Sequence, residues 1–205
     1  MTMMKHVTIR TIQAADAAEA GRIWREGLQQ TVDALAAQQP DQREVYQTWF
    51  DEYAANDCVE GGVTGVDGRG LLDFFANNED RDRHMFVAVA HEQEQEDTMQ
   101  STASTVVGLV GIKRGMDPKK SPRESDPDYQ WCSIWKMSVS AQARGKSVGS
   151  RLMQACEEWA KRRVVGVEAI RLYTGNPIAA SFYMNKAGFL QIEKLERYGI
   201  YEKKL

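Results

Sequence analysis

Between Trp131 and Arg163 the chain changes its periodicity once, across a short polar turn, and that change dictates a strand running into a helix. Trp131, Ser133, Trp135, Met137 and Val139 alternate along the first part, which predicts a strand with one largely apolar face. Val148, Leu152, Ala155, Cys156, Trp159 and Ala160 recur at three- and four-residue steps, which predicts an amphipathic helix. The turn between them carries Arg144, Gly145, Lys146 and Ser147, and Gly149 follows just inside the helix. A helix that opens from such a turn starts with several backbone N–H groups outside its ladder and its dipole behind them. Phosphate is the natural ligand of that arrangement.

Gly145-Lys146-Ser147 invites comparison with a nucleotide-triphosphatase loop. That loop needs a glycine where this chain has Ser140, and no acidic strand end supplies a magnesium ligand. An ordinary strand-to-helix turn is the plain alternative. Serine is a good residue at a helix start, so Ser147 is expected to suit that position.

The remaining elements follow in order. Val7 to Arg10 forms a short first strand, ending near Thr11. Asp16 starts a helix whose buried stripe is Ala17, Ala20, Ile23, Trp24 and Leu28. Pro40 ends it, and Asp41 is placed to cap a second helix with Val45, Tyr46, Trp49, Phe50 and Tyr53. The glycine-rich run from Gly61 to Gly70 reads as loop, and Leu71 to Ala76 as a short helical piece. His84 to Ala90 and Thr105 to Ile112 are strands separated by an acidic loop, and a proline-bearing loop precedes Trp131. After the amphipathic helix come a strand from Ala169 to Thr174, then Asn176 as cap and Pro177 in the first helical position. That helix runs to about Ala187, with Gly188 just past its end. Phe189 to Leu195 and Ile200 to Leu205 close the chain as strands around Arg197-Tyr198-Gly199. Such an order predicts an α/β or α+β domain of three layers, one domain over residues 1–205 with loop insertions at about 57–70, 91–104 and 115–128.

A formal net charge of −3 points to neither nucleic acid nor an anionic membrane as partner. The apolar runs are too short to span a bilayer, and Lys5, His6 and Arg10 interrupt any signal-peptide core. Cys58, Cys132 and Cys156 are widely separated, which suggests neither disulfides nor a zinc cluster; no metal site is expected, and a cytoplasmic location is the default.

Gln142-Ala143-Arg144-Gly145-Lys146-Ser147 resembles the Q/R-x-x-G-x-G/A signature of the GCN5-related N-acetyltransferase (GNAT) superfamily, with Ser147 where glycine or alanine is usual. Asn176-x-x-Ala179-x-x-Phe182-Tyr183, followed by Gly188-Phe189, is similar to the family's second segment, N-x-x-A-x-x-[LF]-Y-x-x-x-G-F. Four residues, Met184 to Ala187, separate Tyr183 from Gly188 where the family has three. Counted from Gly188 the tyrosine position falls on Met184; counted from Asn176 it falls on Tyr183. The second count is preferred, because the preceding strand sets the helix start and an extra residue is readily absorbed at a frayed end. The likeness covers residues 84–205 well and residues 1–83 only by the order of elements.

The resemblance implies a largely antiparallel mixed sheet flanked by helices, in which strands four and five splay apart. It implies acetyl-coenzyme A as co-substrate and transfer to a primary amine of a small molecule or peptide, by a monomer or homodimer. The amides of Met137, Ser138 and Val139 would hold the pantetheine arm. Arg144, Gly145, Lys146, Ser147, Val148, Gly149 and Ser150 would hold the pyrophosphate, with Lys146 adding charge or merely solvated. Asn176 would cap its helix and bond the pantetheine, and Tyr183 would protonate the leaving thiolate. A phenol with a pKa of about 10 suits that task. Glu26, Asp33 and Glu60 lie where the family builds its acceptor site, yet none is singled out as a base, and a water chain is the alternative. His84 reads as structural. A coenzyme A-binding sensor or interaction module of the same fold, without transfer activity, is the second reading.

Overall fold

The computed structural model describes residues 6–56, 83–91, 104–115, 130–195 and 198–205. The expectations for 57–70 and 71–76, for Glu60 and for the interiors of the two polar loops lie outside the described residues. Strands β1 (His6–Thr11), β2 (Arg83–His91), β3 (Ser104–Arg114), β4 (Trp131–Val139), β5 (Ala169–Thr174), β6 (Leu190–Lys194) and β7 (Gly199–Lys204) form a seven-stranded sheet in the order β1-β2-β3-β4-β5-β7-β6. Every neighbouring pair is antiparallel except β4 and β5. Helices α1 (Ala17–Gln38), α2 (Arg43–Asn56), α3 (Val148–Arg163) and α4 (Pro177–Asn185) complete the described structure. None of them is long and apolar enough to cross a membrane.

The expected layering holds because α1, α3 and α4 each bury a stripe against a face of the sheet, while α2 packs on α1. Val148, Leu152, Met153, Cys156, Trp159 and Ala160 of α3 join Ala180 and Tyr183 of α4 in one core, with Phe86, Ala88, Val110, Ile112, Cys132, Ile134, Ile170 and Leu172 beneath them. Ala17, Ala20, Ile23 and Trp24 of α1 pack on the opposite face against Met85, Val87, Val89, Val106 and Leu109. Asp16 stands at the start of α1, but its carboxylate turns back. It takes two hydrogen bonds from Arg10, at 2.6 and 2.8 Å, and one from the Gln13 N–H at 2.7 Å. Burial alone would raise the Asp16 pKa; these donors outweigh it and hold the carboxyl below its ordinary range. Pro40–Gln42 forms a 3-10 turn that Gln39 precedes without a side-chain cap bond, so Asp41 lies inside that turn and is not the residue that flanks α2.

Strand β4 departs from simple alternation. Leu109 pairs with Ser138 and Gly111 with Trp135, so Lys136 and Met137 together oppose Val110 in a β-bulge. Lys136 takes φ 52°, in the left-handed region. The extra residue shifts the alternation by one. Cys132 and Ile134 face α3, and so do Met137 and Val139, while Trp135 packs on the α1 side. The five residues that share one face by sequence therefore divide between two.

Candidate active site

The parallel contact of β4 with β5 consists of three register pairs: Trp131 with Ala169, Cys132 with Ile170 and Ser133 with Arg171. Beyond Ser133 the strands part. β5 stays paired to β7 as far as Thr174, and β4 stays paired to β3 as far as Val139. The β5-facing edge of β4 thus has no strand beside it from Ile134 onward among the described residues. Burial follows the same boundary. Cys132, Ser133 and Ile134 are buried, whereas Trp135 through Val139 are all half-buried.

Aromatic side chains of α4 stand beneath the opening. The Tyr183 hydroxyl donates to the Met137 Sδ at 3.4 Å, and its ring meets those of Phe182 and Phe189 edge-on. A Cβ on Gly149 would lie 3.1 Å from the Phe182 ring and 3.3 Å from the Met137 Cε. Glycine there lets the first turn of α3 approach the side chains of both Phe182 and Met137. Burial first, then the neighbouring Cys156, raises the Tyr183 pKa, so the phenol keeps its proton throughout the physiological range. Met184, by contrast, is 41% exposed. The extra residue after Tyr183 is taken up at the helix end, where the Ala187 N–H reaches the Phe182 carbonyl and the Phe189 N–H reaches that of Tyr183. Gly188 then turns the chain at φ 77°.

At its far end β4 enters the signature turn. The Ser140 N–H donates to the Val107 carbonyl, and Ala141–Ala143 form a 3-10 turn in which the Arg144 N–H donates to the Ala141 carbonyl. The Arg144 guanidinium donates to the carbonyl of Val139 and to Gln30 Oε1 of α1. Two of its three nitrogens, Nε and Nη2, thus brace the turn in this structure. Gly145 (φ 74°) and Ser147 (φ 59°) are both left-handed. The expectation that Ser147 suits the helix start needs correction in its physical reason. It occupies the N-cap position, but its side chain makes no cap bond. Capping by a hydroxyl requires extended backbone geometry, and a left-handed residue aims its side chain elsewhere. The first bond of the α3 ladder runs from the Arg151 N–H to the Ser147 carbonyl, so the amides of Val148, Gly149 and Ser150 precede it. Lys146 is exposed beside them.

Asn176 caps α4 as expected, its Oδ1 accepting from the Ile178 and Ala179 N–H groups at 2.9 and 3.3 Å. Its Nδ2 donates to Thr31 Oγ1 of α1, tying the start of α4 to the helix on the opposite face across the opening. Glu26 is exposed and paired with Arg22, and Asp33 with Arg43. His84 donates or accepts at Thr11 and lies against Phe86 and Trp159, far from the opening in the sheet order. Burial, then Arg163 and Arg162, lower its pKa. Among the described residues no group of three histidine, cysteine, aspartate or glutamate side chains is placed to hold a metal ion.

The turn fits an anionic diphosphate. It is exposed, it presents the amides of the α3 start, and a Cβ on Gly145 would meet open space. Sequence inspection missed Lys136, Trp24 and Trp135 as a group. The available signal was a lysine standing between Trp135 and Met137 in an otherwise apolar strand.

The sequence matches the acetyltransferase (GNAT) family over residues 37–189. No curated protein matches it. Among solved structures, the chain is similar to the PaiA N-acetyltransferase of Thermoplasma acidophilum in complex with coenzyme A. That pair shares 18% identity and a TM-score of 0.60, covering 98% of this chain and 99% of the other. An N-acetyltransferase of Staphylococcus aureus Mu50 gives 15% identity and a TM-score of 0.53, over 98% and 99% of the two chains. Arabidopsis thaliana NAA60, in complex with a bisubstrate analogue, gives 12% and 0.51 with the same coverage. These likenesses concern the fold.

Proposed function

Because the chain belongs to the acetyltransferase (GNAT) family and is an acyltransferase, we propose that it transfers an acetyl group from acetyl-coenzyme A to a primary amine of a small molecule or peptide, by direct attack on the thioester. The observation that carries this reading is the conjunction of an open β4 edge with the Tyr183 hydroxyl against Met137 on that edge. The coenzyme A and the bisubstrate analogue held by two of the structural relatives support it. Acetyl-coenzyme A supplies the acetyl thioester. This chain's own residues bind, orient and manage protons.

Amides of Gly145 through Ser150 receive the pyrophosphate, with the charge of Lys146 at the rim. Arg144 holds the turn in shape through Val139 and Gln30. Met137, Ser138 and Val139 offer the free edge of β4 to the pantetheine amides and an N–H to the thioester oxygen, a donor set that works best with water excluded. Asn176 fixes the mouth of the opening by joining α4 to α1. Tyr183 gives its proton to the departing sulfur. Its raised pKa suits a thiolate formed in the same dry surroundings, where the sulfur too is a stronger base than in water. A cytoplasmic setting, one domain, and a monomer or homodimer belong to the same reading.

The test is Gly145→Glu, which puts a side chain and a negative charge where the pyrophosphate would lie. Acetyl-coenzyme A affinity, measured by calorimetry on the folded variant, is expected to be lost. Unchanged affinity sinks the reading.

A further inference from the structure

Where strands pair, ladder hydrogen bonds fix their separation. Beyond Ser133 and Arg171 no ladder joins β4 to β5, so the width of the opening is set by what crosses it. On the α3 side that is the contact of Tyr183 with Met137. On the opposite side it is one turn of α1. Gly27, Gln30 and Thr31 stand at i, i+3 and i+4 and so share one face of that helix. Each of them touches a different part of the site. Gly27 lies against Ser138 of β4: a Cβ there would overlap the Ser138 Oγ and lie 3.2 Å from its Cβ. Gln30 Oε1 accepts from the Arg144 guanidinium of the signature turn. Thr31 Oγ1 accepts from Asn176 Nδ2 at the start of α4, at 3.0 Å, and donates to the Gly27 carbonyl, also at 3.0 Å. A chain of hydrogen bonds thus runs from the cap of α4, through one hydroxyl, to the residue that packs on β4.

We propose that this turn of α1 is the strut that holds the coenzyme site at its working width, with Thr31 and Gln30 as positioning residues. The inference rests on the transferase reading above. It needs no contact between these side chains and acetyl-coenzyme A. The parts they hold cannot hold themselves. α4 is nine residues long, too short to keep its orientation without tertiary contacts, and its Asn176 is bonded from both sides: Oδ1 to the Ile178 and Ala179 N–H groups, Nδ2 to Thr31. The signature turn is exposed and contains two left-handed residues, and Arg144 joins it to its own strand at Val139 and to α1 at Gln30. α1 supplies the fixed reference. It is 22 residues long, and Ala17, Ala20, Ile23 and Trp24 are buried against the sheet. A helical threonine commonly bonds the carbonyl four residues back, and that bond alone would have no consequence for a ligand. The second bond of the same hydroxyl, to Asn176, carries the link across the opening.

The experiment measures binding of acetyl-coenzyme A and of ADP by calorimetry in wild type, Thr31→Val, Thr31→Ser and Gln30→Leu. ADP carries a pyrophosphate without the pantetheine arm. Valine matches threonine in shape but lacks the hydroxyl. Thr31→Val is therefore expected to weaken acetyl-coenzyme A about 5- to 10-fold, the worth of one hydrogen bond, and to leave ADP within about 2-fold. Thr31→Ser returns the hydroxyl and is expected to restore the affinity. Gln30→Leu releases Arg144 and is expected to weaken both ligands alike. A role confined to folding would lower the urea midpoint and leave both affinities unchanged. For Thr31, the proposal is overturned by a Thr31→Val affinity equal to wild type, by an equal loss in Thr31→Ser, or by a parallel loss for ADP. For Gln30, it is overturned by unchanged ADP affinity in Gln30→Leu. Should Thr31→Val fail to fold, Gln30→Leu decides. Absence of acetyl-coenzyme A binding in wild type overturns the transferase reading itself.

Discussion

From Trp131 to Ser133, strand β4 lies between β3 and β5; from Trp135 to Val139 it keeps β3 alone, and every residue is half-buried. Side-chain chemistry does not explain the contrast, since Trp135, Met137 and Val139 are as apolar as Cys132 and Ile134. What differs is what stands on the β5 side. In the first half a strand completes the backbone hydrogen bonds. In the second, Tyr183 of α4 meets Met137 beside the gap, with the Phe182 ring packed on Tyr183. The bulge falls at this boundary and turns Lys136 toward α1. A strand can thus be a structural element at one end and a binding edge at the other, provided packed side chains keep the opening from closing.

The largest expected effect comes from removing the proton donor while leaving the packing. Tyr183→Phe keeps the ring among Phe182 and Phe189, so turnover should fall by about 10²–10⁴-fold while acetyl-coenzyme A affinity holds. Met184→Leu, on the exposed side of α4, should cost little in the same assay. A fully active Tyr183→Phe enzyme would reduce the contact with Met137 to packing.

Next comes stability at the bulge. The Lys136 pKa of about 7 lies below its ordinary value of 10.5, so between these the unfolded chain binds a proton that the folded chain does not. Wild-type stability should therefore climb as pH rises from about 7 toward 10.5 through this group. Lys136→Met removes the dependence and should stabilise by about 1–4 kcal/mol at or below neutral pH, the gain fading in alkali. Denaturant midpoints of the two proteins across pH would show it. Equal midpoints at every pH would mean that the ammonium is well solvated.

Gly149→Ala probes the packed side of the opening. The added methyl would press on Phe182 and Met137 and should cost about 1–3 kcal/mol in urea unfolding, with weaker acetyl-coenzyme A binding. A neutral result would show that the two side chains shift freely. The smallest effect is expected at the exposed turn. Ser147→Gly relieves a left-handed serine and should stabilise by about 0.5–1 kcal/mol, with coenzyme affinity within a few-fold. A large loss of affinity would instead assign the hydroxyl to a phosphate, a charge-assisted bond of about 1.5–3 kcal/mol.

The parts legible in the sequence are those whose cause is local. The 3.6-residue stripe of α3, the Asn176-Pro177 start of α4 and the glycine at its end each report on backbone geometry within a turn or two, and the structure has them where the residues indicate. The tyrosine of α4 follows from the same local logic, counting from a fixed cap, and its side chain points to β4 while Met184 is exposed. The bulge had no such cause. Alternation from Trp131 to Val139 reads as one uninterrupted face, and only the pairing of β4 with β3, which sets Lys136 and Met137 against Val110, breaks it. Likewise no residue of β4 or β5 announces that the two strands part after Ser133 and Arg171. Nor does the hydroxyl of Ser147 reveal that its backbone is left-handed and its cap unmade. Register, splay and the face on which Lys136 emerges are decided by partners far away in the chain. A periodic pattern records which residues prefer burial, whereas which face each one finally meets depends on how many residues the neighbouring strand sets opposite it.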